Sequence, residues 1–142
     1  MRRHQVLIPI SREHHELLIL AQLLKKNAPP YRGLPETLSG KLAFASEEYN
    51  RIIEKHLKRD AFLLFPFLHE FAIFEVTLEE LKGINHDLNS ALQHTEELTE
   101  EEADQLGFML EKYVRTKERK LFEKMQHHLK ESDFALLSKK LY

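Results

Sequence analysis

The chain has 142 residues, with 21 lysines and arginines against 23 aspartates and glutamates, a formal charge of -2 and no cysteine. That length suits a single domain, residues 1–142, around one core. The near balance of charge argues against a nucleic-acid or anionic-membrane surface, and the lack of cysteine excludes disulfides, thiolate metal sites and a cysteine nucleophile.

Any metal would have to be held by His, Asp, Glu or Tyr. The longest apolar run, Ala61 to Leu68, is too short to cross a bilayer. The early run Val6-Leu7-Ile8 is broken by Pro9 and then by charges, unlike a signal peptide. The expectation is a cytoplasmic protein with no membrane or nucleic-acid partner.

In chain order, Ser11 reads as the cap of a first helix running to about Lys26, with Ile10, Leu17, Leu20, Ala21 and Leu24 inward. His14 lies at the edge of that stripe and His15 on the far side. Residues 27–35 hold three prolines and a glycine, which makes them a loop. A second helix starts near Glu36 or Thr37 and runs to about Phe65, with Leu38, Leu42, Ala45, Tyr49, Ile52 and Ile53 inward. Past Asp60 the same face continues through Leu63, Leu64 and Phe67, while Phe62 and Phe65 point away. Pro66 ends or kinks this helix, and the apolar stretch from Phe67 to Val76 either folds back on the core or forms a partner surface.

Thr77 and Glu80 have the spacing of a capping box opening a third helix to about Leu98; Thr99 and Glu102 repeat it for a fourth. The third helix turns Leu78, Leu81, Ile84, Leu88, Ala91 and Leu92 inward. Leu106, Met109, Leu110, Tyr113, Val114, Leu121 and Met125 form the inner stripe of the fourth. Ser132 then caps a short terminal helix. No strand pattern or internal repeat competes. The fold class implied is all-α, an up-down antiparallel four-helix bundle with a short C-terminal helix.

The residues that carry chemistry sit on the inner stripes. His56 and Asp60 are four apart, hence one turn apart on one helix face, and that face is otherwise apolar. An unpaired buried carboxylate costs several kcal/mol, so Asp60 needs a cation or a set of donors. A metal ion would satisfy both residues at once. Lys117, near the centre of the fourth stripe, needs anionic partners in turn, and Asp60 and Glu118 are the nearest in pattern.

The phrase Arg12-Glu13-His14-His15-Glu16-Leu17-Leu18, the His56-x-x-x-Asp60 step ahead of Leu64-Phe65-Pro66, the late Leu121-Phe122 and the short tail helix together resemble the hemerythrin-like HHE cation-binding domain family. The resemblance covers nearly the whole chain. It implies iron, often a di-iron pair, held between four helices, with oxygen binding, sensing or metal storage as the role. Carried over by position, it implies His14, His56, Asp60 and Glu118 as metal ligands. Asn85 and Tyr113 stand where the family has histidines, and His86 is rotated away from the core. One metal position is therefore expected to survive and the other to be lost or altered.

Lys117 opens the alternative of a metal-free bundle in which the ammonium replaces the metal's charge. Three function classes follow. The first is a protein that senses, binds or stores iron, another divalent metal or a small oxidant such as oxygen. The second is an interaction or scaffold protein, with a homodimer through the Phe-rich corner from Phe62 to Phe74 as one form. The third is an oxidative enzyme, for which the sequence offers no cosubstrate motif.

Overall fold

The computed structural model describes residues 2–142. Every regular element among them is helical. A 3₁₀ turn, Gln5–Leu7, leads directly into α1, Ile8–Leu24. The long second helix, α2, occupies 38–69 and carries two wide π turns, Tyr49–Ile53 and Asp60–Leu64. After a 3₁₀ turn at Ala72–Phe74 comes α3, Glu75–Leu92. The fourth, α4, occupies 100–128 with a π turn at Lys117–Phe122, and α5 is Glu131–Leu141. No helix of the described residues is long and apolar enough to cross a membrane.

Two helix starts follow the expected chemistry. The Thr37 hydroxyl accepts from the Gly40 amide at 3.1 Å at the start of α2. At the start of α4 the Thr99 hydroxyl accepts from the Glu102 amide, and the Glu102 carboxylate accepts from the Thr99 amide. These reciprocal bonds satisfy donors that a helix terminus leaves free.

The other starts differ from the sequence reading. α1 begins at Ile8 with Pro9 in its first turn, where the missing amide costs nothing. Ser11 therefore lies inside the helix, its hydroxyl free to bond elsewhere. α3 begins at Glu75, so Thr77 is buried within it and Thr77 and Glu80 form no cap. In α5 the Asp133 carboxylate caps the Lys130 amide, and Ser132 sits past the cap.

The core is one cluster drawn from all five helices. α1 packs most closely on α4, and the contact depends on Gly107. A Cβ at that position would stand 2.6 Å from the Ala21 carbonyl oxygen, so only glycine lets the two backbones approach this far. The corner after α2 folds back on the core: Phe65, Leu68 and Phe74 are fully buried, while Phe62 is 71% exposed and Val76 82%.

Phe65 corrects the sequence reading, which turned it outward and Leu63 inward. A π turn adds about one residue to a turn and shifts the phase of everything after it. The turn at Asp60–Leu64 brings Leu64, Phe65 and Leu68 to the core and leaves Leu63 38% exposed.

Candidate functional site

A polar cluster lies in the middle of this apolar core. His14, His56, Asp60, Asn85, Tyr113 and Lys117 are all buried, with Asp60, Tyr113 and Lys117 at 0% exposure. Asp60 and Lys117 each open a π turn, a distortion often found where a helix is adapted to a site.

Lys117 is the hub. Its Nζ lies 2.5 Å from Asp60 Oδ2 and 2.9 Å from His56 Nε2. Tyr113 donates its hydroxyl to the same Asp60 oxygen at 2.6 Å. Asn85 donates to the Tyr113 hydroxyl and to the Leu57 carbonyl, both at 2.9 Å. The positions where the family resemblance puts histidines thus hold a hydrogen-bonded Asn–Tyr pair.

The two buried histidines are held alike. His56 Nδ1 is 2.6 Å from Glu13 Oε1, and Arg59 donates to the same carboxylate oxygen at 2.7 Å. His14 Nδ1 is 2.5 Å from Glu118 Oε2, with Ser11 donating to that oxygen and Arg3 to its twin. Each carboxylate accepts the Nδ1 proton, fixing the tautomer with a bare Nε2 turned inward. His56 Nε2 meets Lys117. His14 Nε2 is buried with no partner, as is Asp60 Oδ1.

Burial and the neighbouring Lys117 charge hold His14 down to about 3, against the pull of Glu118. The same two causes lower His56. Both imidazoles are neutral near pH 7. Burial would raise Glu13 and Glu118, but hydrogen bonds outweigh it: from His56 and Arg59 to the first, from His14 and Ser11 to the second. Each ends near about 2. Desolvation would raise Asp60, but the Lys117 charge, with hydrogen bonds from Lys117 and Tyr113, overcomes it and holds the carboxyl below the usual range. Burial lowers Lys117, and Asp60 opposes the fall. Burial and the Asp60 charge push Tyr113 far up, so it stays a donor.

Of the four expected ligands, the fold brings His14, His56 and Asp60 to the centre. It turns the Glu118 carboxylate to the outer side of the His14 ring, where it orients the imidazole. No group of three or more His, Asp or Glu side chains is disposed to hold a metal ion among the described residues. The donor inventory points the same way. A facial non-haem iron site takes two imidazoles and a carboxylate, but here His56 Nε2 and Asp60 Oδ2 are taken by Lys117, leaving only His14 Nε2 and Asp60 Oδ1 open. A divalent ion beside an ammonium would also bring two cations together in a dry site. The residues as arranged do not fit a metal.

No family model, curated protein or solved structure matches this chain. The site therefore rests on its own geometry.

Sequence reasoning missed Glu13, Arg59, Ser11 and Arg3, which hold the histidines from outside the core. Glu13 entered only as part of the phrase Arg12 to Leu18, and Ser11 only as a helix cap. The available signal was a glutamate beside an inward histidine, with arginine three residues past the other histidine. That pattern is common on solvated helices and carries little weight alone.

Proposed function

We propose that the chain is a hemerythrin-like bundle, its first four helices running up and down, whose centre is closed by its own ammonium in place of a metal. Its role on this reading is that of an interaction or scaffold module. The observation that carries the reading is Lys117 Nζ lying between His56 Nε2 and Asp60 Oδ2. A buried carboxylate needs a cation, and one is already built in.

Phe62, Ile73 and Val76, apolar and exposed beside the folded-back corner, supply surface for a partner or a second copy of the chain. The test is elemental analysis of untagged protein expressed with added iron, alongside unfolding with and without a chelator. No stoichiometric metal and chelator-insensitive unfolding are expected. Stoichiometric iron that disappears in His56→Ala overturns the proposal.

A second reading keeps one metal, as the family resemblance implies, and is favoured by the two buried acceptors that lack a donor, His14 Nε2 and Asp60 Oδ1. If Lys117 gave way, His14, His56 and Asp60 would hold the ion, and iron bound there would supply affinity for a small oxidant such as oxygen. Glu118 and Glu13 would then act as outer partners that orient the imidazoles. Sub-stoichiometric occupancy unaffected by His14→Ala counts against this reading.

A further inference from the structure

We propose that Lys117 and Asp60 condense within the folded protein to an isopeptide bond joining α4 to α2. This rests on the placement of Lys117 at the centre, which the metal-free reading shares.

The nucleophile and the carboxyl are already in contact. Nζ is 2.5 Å from Oδ2, and neither residue reaches solvent. Groups held in this way react as if at very high concentration, because no further freedom is lost on approach. Both partners sit at the start of π turns and are fully buried, so the packing around them holds each side chain in place. The surroundings are aromatic and dry: Lys117 lies over the Tyr113 and Phe122 rings at 5.3 and 5.8 Å from their centroids. The ion pair is the resting form, and the neutral amine and acid that one proton transfer gives are the reactive form.

The neighbours match the atoms that change. Transfer of one proton from Nζ to Asp60 Oδ2, 2.5 Å away, gives the amine and the carboxylic acid. The Nζ lone pair then forms a bond to Cγ. Charge gathers on Oδ1, while the Tyr113 hydroxyl, donating to Oδ2 at 2.6 Å, holds the carboxyl in place and bonds the oxygen that will leave. A second proton leaves Nζ for His56 Nε2, 2.9 Å away, whose other nitrogen is anchored on Glu13. His56 returns that proton to Oδ2, 3.5 Å from its Nε2, the Cγ–Oδ2 bond breaks, and Oδ2 departs as water. Two ammonium hydrogens and Oδ2 thus become one water, the third hydrogen stays on the amide nitrogen, and no oxidant or cofactor is needed. The product removes two buried charges and ties together positions 57 residues apart in sequence.

Intact-mass spectrometry of the untagged, denatured full chain tests the proposal, followed by a tryptic digest. The expected mass is lower than that of the sequence by one water, with a branched species joining the Asp60 peptide to an uncut Lys117. Lys117→Arg restores the full mass. Asp60→Asn, in which the carboxamide leaves as ammonia, gives the same cross-linked mass as the wild type. Full mass in folded wild type after prolonged incubation overturns the proposal, and so does a water loss without the branched species. Either failure in protein free of metal leaves the metal-free reading standing, whereas stoichiometric metal defeats that reading whatever the mass.

Discussion

The two buried histidines are near copies of each other up to one atom. Each rests its Nδ1 on a glutamate that an arginine also grips, Glu13 with Arg59 and Glu118 with Arg3. Each turns its Nε2 inward. On the His56 side Lys117 fills the space; on the His14 side nothing does. The carboxylate–imidazole unit is thus a support that serves either an internal cation or an open acceptor. What stands opposite Nε2 decides which residues the fold depends on.

Removing the filled side should hurt most. Lys117→Met leaves Asp60 charged and unpaired in the core, and urea unfolding should record a loss of about 3–5 kcal/mol. A loss below about 1 kcal/mol would mean that Asp60 has another cation. His56→Ala leaves Lys117 its carboxylate but takes away one acceptor and opens a cavity, for an expected loss of about 2–3 kcal/mol.

Acid should act on both sides together. His14 has its folded value near about 3 against 6.5 unfolded, so the unfolded chain binds the proton first and stability falls as pH drops below about 6.5. Between pH 6.5 and 5 the cost from this one group is about 2 kcal/mol. Glu13 and Glu118, near about 2 against an ordinary 4.5, withdraw their contributions only below about 4.5, with the same sign. An unfolding midpoint that is flat from pH 7 to 5 would show that His14 is not held neutral.

The smallest effect belongs to the open side. In His14→Phe the lost Nε2 had no partner, and Glu118 loses the Nδ1 donor but keeps Ser11 and Arg3. The loss of stability should be about 1–2 kcal/mol. A loss as large as that of His56→Ala would erase the difference between the two sides.

Much of this was legible in the sequence. Helical periodicity identified the all-α class and placed His14, His56, Asp60, Tyr113 and Lys117 inward, and burial physics required a partner for Asp60. What escaped depends on the π turns. Buried positions such as Ala45, Tyr49, Ile53 and Leu57, or Tyr113, Lys117, Leu121 and Met125, run in unbroken steps of four. A straight α-helix drifts by about 40° at each such step. Wide turns absorb the drift, and reading them as ordinary helix misdirected Phe65. Glu118 escaped for a simpler reason: it lies one residue, hence about 100°, beyond Lys117, which turns it toward Ser11 and away from the centre. The outer glutamates and arginines were invisible because they are half-buried and belong to no apolar stripe.

Gly107 has a mechanical consequence. It presses α4 against the Ala21 carbonyl, and His14 rides on the same helix as Ala21, two turns away. A single methyl at Gly107 would meet the Ala21 carbonyl at 2.6 Å and force the two backbones apart there, so a residue with no side chain gauges the spacing of the two helices that carry the His14–Glu118 pair.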